Sequence, residues 1–441
     1  MKKKVYLNIK FLLFSSLLLV LAGCTSIIGP NDSNIESNSC DYKKIDEKIK
    51  DDNDTILWAI KGGSKARNCL DYQKSNDFFD KAEISYKETV DKDSTVKNIL
   101  ESSVSILVNN NANEYEGNTY EKVMLNTYKA LNFASLNDPQ NARVEFNRAL
   151  DRQRRAKEYF IDEIKDKKEE LSSKNQETEA KDFVYKEYDS LLNDFKAYPN
   201  FVNPFVNYIA GIYFLLEGDG IKARDLLKES YEMNPLNEQI KSDFELSQKY
   251  LSSFKNSKEN YAWIIYENGE GMIKDEIRIN IPLFIFTNNV IYTGIALPKI
   301  IERSTSYAYL EVNNKKTTEI SNMDRVIKTE FKKKFPKVLS EAIANTISKT
   351  VAQKQLNDKS PLGGFLSFLY QNLTNRADIR SWSDLPKNFQ SLRLKLNEKV
   401  IDIKNNQGKI IKEILIPKGK NALIYVKSQN VGNEIIHEIL F

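Results

Sequence analysis

Gly211-Ile212-Tyr213-Phe214-Leu215-Leu216-Glu217-Gly218-Asp219-Gly220-Ile221-Lys222-Ala223-Arg224-Asp225-Leu226-Leu227 decides the fold of the first half of this chain. Gly211 is a small residue in an apolar run, and the aromatic Phe214 follows one helical turn later. Glu217-Gly218-Asp219-Gly220 breaks the run as a turn. Ala223, Leu227 and Ser230 then share one face of a second helix, which Pro235 stops. The same spacing recurs at Ala130, Phe133, Ala142, Phe146 and Ala149. There Asp138 is placed to cap the second helix and Pro139 to take its first position. A weaker copy runs through Gly63, Ala66, Ser75, Phe79 and Ala82.

This spacing resembles the tetratricopeptide repeat, in which small residues let paired helices approach and larger ones fill the space between. The copies are not tandem, because the small residues at 63, 130 and 211 stand more than one repeat of ~34 residues apart. Further helices must complete the stack. Residues 96–108 supply one, 148–171 and 179–198 a charged hairpin with Ser172-Ser173-Lys174-Asn175 at its tip, and 237–253 an amphipathic cap. The expectation is one helical array over 41–254. The run Arg152-Gln153-Arg154-Arg155-Ala156-Lys157 reads as a salt-paired helix face, since Glu158, Asp162 and Glu163 follow at once.

Past a joint at 252–257 the pattern changes to strands. Tyr261-Ala262-Trp263-Ile264-Ile265-Tyr266 and the alternating Glu276-Ile277-Arg278-Ile279-Asn280-Ile281 flank Glu267-Asn268-Gly269-Glu270-Gly271, and Asn-Gly between apolar runs predicts a hairpin. Further strands are expected at 290–296, 307–312, 391–396, 400–404, 409–416, 422–427 and 434–441. A helix from 323 to about 356 carries Val326, Phe331, Phe335, Leu339, Ile343 and Ile347 at helical spacing, with Pro336 set to kink or split it. It is expected to pack across the sheet. Gly363-Gly364 lacks the lysine and extra glycines of a phosphate loop and reads as a kink in an apolar segment. The predicted fold is α+β and multidomain: an N-terminal α-helical tetratricopeptide-like array, then a β-rich α+β domain over 261–441.

The first 23 residues are a separate matter. Lys2, Lys3, Lys4 and Lys10 give a positive start with no acid, and an apolar run follows over 11–21. That run has the length of a signal-peptide core and is too short to anchor a protein across a bilayer. It ends in Leu21-Ala22-Gly23-Cys24, which looks like a lipobox, so cleavage before Cys24 and acylation of its thiol are expected. Two or three acyl chains hold a protein stably at a membrane. Thr25 is not the aspartate of inner-membrane retention, which points to the outer membrane, facing the periplasm. Residues 24–40 read as a polar, lipidated tether. The chain has 65 Lys+Arg against 61 Asp+Glu. Four of those lysines lie in the leader, so the remainder is balanced at 61 each, and no global field favours nucleic acid. Cys40 and Cys69 either form a disulfide, which an oxidising compartment permits, or stay as two buried thiols.

Several stretches are similar to a family of functionally uncharacterised bacterial tetratricopeptide lipoproteins. They are Asn118-Thr119-Tyr120-Glu121-Lys122-Val123-Met124, Ile279-Asn280-Ile281-Pro282-Leu283-Phe284, Gly294-Ile295-Ala296-Leu297-Pro298, and Ala377-Asp378-Ile379-Arg380-Ser381-Trp382 through Leu385-Pro386. The resemblance implies a cell-envelope setting and no particular activity.

Two function classes follow. In the first, the protein is a membrane-anchored periplasmic scaffold or adaptor. The first helices of the repeats would face a groove, and Asn126 and Asn207, each four residues before the small residue, would bond an envelope partner's backbone. The other reading of these amides is that they satisfy neighbouring helices. In the second class, the C-terminal domain binds a glycan or lipid. Asp378 and Arg380 would hold hydroxyls there, with Trp382 as the stacking platform. Against that stands an ion pair locking a loop with the indole in the core, the commoner fate of tryptophan. An enzyme is not expected. The single histidine, His437, has no partner histidine, and no nucleophile elbow, phosphate loop or metal-ligand pattern stands out, so neither cofactor nor metal is predicted.

Overall fold

The computed structural model describes residues 40–51, 54–87, 114–170, 203–251, 254, 257–282, 292–359, 376–396 and 400–441. The leader, Cys24, the tether before Cys40, the helices expected at 96–108 and 179–198, the tip at 172–175 and Gly363-Gly364 lie outside the described residues.

The chain folds as α+β. Helix α1 (Lys43–Lys50) precedes three helical hairpins: α2 (Thr55–Asn68) with α3 (Tyr72–Ser85), α4 (Thr119–Ser135) with α5 (Pro139–Glu170), and α6 (Pro204–Glu217) with α7 (Gly220–Met233). A last helix, α8 (Glu238–Lys249), packs on α7. The small residues act as their spacing requires. A Cβ on Gly63 would sit 2.3 Å from the Phe79 ring, and one on Gly211 would sit 2.8 Å from Leu227. Asp138 Oδ1 accepts the Asn141 N–H at 3.1 Å and Pro139 opens α5. Gly218, at φ 89°, ends α6 in the left-handed region that glycine tolerates. The arginines of the 152–157 run are salt-paired, Arg152 with Glu83 at 3.1 Å and Arg154 with Asp151 at 2.8 Å.

Cys40 and Cys69 are bonded, with Cα atoms 5.9 Å apart, which ties the start of the described chain to the end of α2. The link closes a sequence separation of 29 residues. Replacing both cysteines with Ser is expected to cost roughly 3 kcal/mol, chiefly by freeing the unfolded chain. Urea unfolding of wild type and double variant should differ under non-reducing conditions and converge once the wild type is reduced.

The strands form three sheets. The main one has the order β11 (Glu434–Leu440), β10 (Ala422–Ser428), β1 (Tyr261–Asn268), β7 (Asn388–Lys395), β6 (Thr318–Asn322). Its β1–β10 pair is parallel and its other pairs are antiparallel. A second sheet is the hairpin of β2 (Ile273–Pro282) and β3 (Tyr292–Ile301). The third has the order β5 (Lys315–Lys316), β4 (Glu311–Val312), β8 (Val400–Lys404), β9 (Ile410–Leu415).

The predicted hairpin across Asn268-Gly269 does not form. β1 instead pairs with β7 and β10, while β2 turns away to β3. Gly269, at φ 68°, donates to Ser428 O and Gly271 to Leu385 O, so the turn docks on other strands and does not return on itself. Every residue of β1 is buried because both faces of the main sheet are covered. Trp263 and Ile265 look toward the helices, and Ala262, Ile264 and Tyr266 join Ile401, Ile403 and Ile414 of the third sheet.

The helices and the main sheet share one core, from Phe79, Tyr128 and Phe205 through to Trp263, Phe389 and Tyr425. Phe205 of α6 stacks on Phe389 of β7 with ring centroids 3.6 Å apart. Asp243 of α8 accepts from Tyr208, Trp263 and Arg393, a polar pin through the same interface. The long helix α9 (Met323–Lys359) runs unbroken through Pro336 and does not split there. Its Phe335, Leu339 and Ile343 cover Ile295 and Leu297 of β3, so it packs mainly on the β2–β3 hairpin and only marginally on the main sheet.

Candidate functional site

The stretches 118–124, 294–298 and 377–382 meet at the N-terminus of α4. Asn118 precedes the helix, and its backbone N–H donates to Glu121 Oε2 at 2.8 Å. Two further N–H groups of this helix end, on Thr119 and Tyr120, donate to the carboxylate of Glu330 on α9 at 2.7 and 3.0 Å. A carboxylate at a helix N-terminus is favoured by the free donors and the helix dipole. Burial works against the Glu330 charge, but Lys334 at 2.5 Å and these N–H groups hold its carboxyl below the usual range.

The 377–382 segment wraps the same end. Ala377 N–H donates to Glu276 of β2 at 2.9 Å. Arg380 forks onto Asp378 through Nε and Nη2, both at 2.9 Å, and reaches Asp54 through Nη1 at 2.5 Å. Trp382 is 1% exposed. Its backbone N–H donates to Glu121 at 2.8 Å and its Nε1 to Ser64 Oγ at 2.7 Å. Phe79 and Tyr128 pack on its ring, each with centroids 5.7 Å away. The expectation of Trp382 as a stacking platform, with Arg380 as a ligand donor, is therefore overturned. A ring packed against two aromatic neighbours and 1% exposed has no face left for a sugar.

Asn126 and Asn207 are likewise interior. Asn126 donates to Glu83 and Glu145, between α3, α4 and α5. Asn207 accepts from Gln153 and donates to Glu229, between α5, α6 and α7. Neither amide reaches a groove surface, so the partner-binding role expected for them is corrected to bonding between neighbouring helices. His437 lies on β11 against the Tyr72 ring at 4.8 Å. Burial, then Arg67 and Lys412, push its pKa down to about 4.

A cleft of about 190 Å³ lies between the α4 N-terminus, the β2–β3 hairpin and α9. Ala296, Pro298, Ile327, Phe335, Ala342 and Ala377 are buried and make its floor. Phe331, Val338, Lys274, Lys334, Asn345 and Asp378 are part-exposed, and Glu341 and Arg376 stand at the mouth. Of the residues predicted for a site, only Asp378 lines this cleft, and its carboxylate is engaged by Arg380. Burial opposes the Asp378 charge, yet Arg380 and Lys274 hold its carboxyl below the ordinary range. Burial pushes the Lys274 ammonium down by more than Asp378 and Glu121 hold it up.

Lys274, Lys334 and Arg376 were not legible as site residues. Lys274 shares the polar alternation of Glu276 and Arg278, which reads as a solvent face. Lys334 sits in a lysine-rich helix turn that reads the same way.

Among the described residues, no group of three or more His, Cys, Asp and Glu is arranged to hold a metal, and no helix is long and apolar enough to cross a membrane. No protein-family model, curated protein or solved structure matches the chain.

Proposed function

We propose that this chain is a lipid-anchored protein of the bacterial cell envelope that binds a ligand, without transforming it, in the cleft between α9 and the β2–β3 hairpin. In this reading Cys24 carries the acyl chains, the anchor sits in the outer membrane, and the folded part faces the periplasm. The three helical hairpins are tetratricopeptide-like pairs, a view supported by the close approach at Gly63 and Gly211. Kinship with the uncharacterised tetratricopeptide lipoproteins belongs to the same proposal.

The observation that carries the reading is the cleft itself: an apolar floor under a polar, mainly cationic wall, the usual form of a small-ligand site. The scaffold alternative loses its named contacts. The faces of α2, α4 and α6 that would line a partner groove hold Ser64, Tyr128 and Phe205, and these meet Trp382 and Phe389 of the same chain. A protein partner would have to dock elsewhere.

A ligand-observed NMR screen of small amphiphilic compounds tests this. Hits are expected with the wild-type chain, and Val338→Trp, which fills the cleft from its part-exposed wall, should abolish them. Hits that survive in Val338→Trp would place binding outside the cleft.

A further inference from the structure

One cation lining the cleft has no carboxylate at ion-pair distance among the described residues, and it indicates what the cleft holds. Lys334 is matched by Glu330 at 2.5 Å, and Arg380 is shared by Asp378 at 2.9 Å and Asp54 at 2.5 Å. Glu341 faces Lys337, and Arg376 faces Glu276, each at 4.0 Å. Lys274 is different. Its ammonium has three donors and one acceptor, the Arg380 carbonyl oxygen at 3.3 Å, and it enters no ion pair among the described residues. It is part-buried and lines the cleft together with Ala296, Phe335 and Ala342 of the floor.

We infer that the cleft takes the carboxylate end of a small amphiphilic acid, one ring or a short aliphatic chain in size, with Lys274 as its counter-ion. The inference rests on the cleft being the ligand site. Three features set the class. Lys274, with no carboxylate in contact and Asp378 only as a longer-range counter-charge, calls for no more than one negative charge; a phosphate dianion would leave a second charge uncompensated in a desolvated place. The apolar floor calls for a hydrocarbon part. The volume, about 190 Å³, bounds that part: an apolar cavity of about 150 Å³ holds benzene. A long acyl chain would have to leave through the mouth between Glu341 and Arg376.

Titration calorimetry of the full chain with 3-phenylpropanoate and hexanoate tests the class. The comparators are 3-phenylpropan-1-ol, 3-phenylpropylamine and phenyl phosphate. The acid should bind roughly ten-fold more tightly than the alcohol, and the amine more weakly still. Lys274→Met should remove that preference and leave the alcohol's affinity within about two-fold of wild type, while Lys274→Arg should restore most of it. Val338→Trp, and Ala342→Ile as a smaller plug, should abolish binding of both. Equal affinity for acid and alcohol, or tighter binding of phenyl phosphate, overturns the ligand class but leaves the cleft as a site. Acid binding that persists in both plugged variants, each with a wild-type melting transition, overturns the site as well. Absence of acid binding at millimolar concentration overturns the inference outright.

Discussion

A Trp382→Ala variant is expected to lose about 4 kcal/mol of stability before any question of ligand affinity arises. The indole is 1% exposed and lies between Phe79 of α3 and Tyr128 of α4, so its removal leaves a cavity that two helices would have to close. The same change strips Ser64 Oγ of the Nε1 donor at 2.7 Å. Trp382→Phe separates the two terms. It keeps most of the apolar area and loses the hydrogen bond, for an expected cost of about 1–2 kcal/mol. Urea unfolding of the three proteins measures both. If Trp382 served a ligand and not the core, the Ala variant would unfold with the wild type and fail only in binding.

The helical hairpins were legible because their signals are local. Gly211 against Leu227 and Gly63 against Phe79 are contacts within one helical pair, and the residue types that permit them lie a fixed distance apart in the chain. Capping at Asp138 is more local still. The strand residues were also visible, but not their partners. Nothing near Asn268-Gly269 says that β1 will take β10 as a parallel neighbour more than 150 residues later. Its unbroken apolar run did carry the hint of a strand buried on both faces, since a strand with one wet face alternates.

The cleft was the least legible part. Phe331 and Phe335 read as an ordinary core stripe on a helix, and Lys274 as one more polar residue on an alternating strand. Their meeting depends on α9 lying over the β2–β3 hairpin and on Glu330 reaching the α4 N-terminus, and both are contacts between distant segments. For Asn126, Asn207 and Trp382 the residue types gave two readings each. In each case the interior one holds, because polar or aromatic atoms at a helix interface must be satisfied inside it.

Glu121→Ala is expected to cost about 4–5 kcal/mol. The Glu121 side chain is fully buried. Oε1 accepts from Asn118 Nδ2 at 3.0 Å and from the Trp382 N–H at 2.8 Å; Oε2 accepts from the Asn118 N–H at 2.8 Å. Tyr115 Oη donates at 2.8 and 2.7 Å to the two oxygens. Removing the carboxylate strips the Asn118 and Trp382 N–H groups and the Tyr115 hydroxyl of this acceptor in a buried place, while Asn118 Nδ2 keeps the Tyr115 and Tyr120 hydroxyls at 3.1 and 3.4 Å. Glu121→Gln tests whether the charge and both acceptors are needed. Whichever way the amide turns, its NH₂ faces a backbone N–H, that of Trp382 in one orientation or Asn118 in the other. The Gln variant should therefore lose about 2–3 kcal/mol despite its matching shape. Hydrogen exchange would localise the damage: protection should fall first at Asn118 and Trp382, the backbone amides that donate to this carboxylate, while α7 and β10 stay protected. A Gln variant within about 0.5 kcal/mol of wild type would mean that the α4 N-terminus is held by Glu330 alone, and that the loop carrying Asp378 and Arg380 is secured by Asp54 and not by this carboxylate.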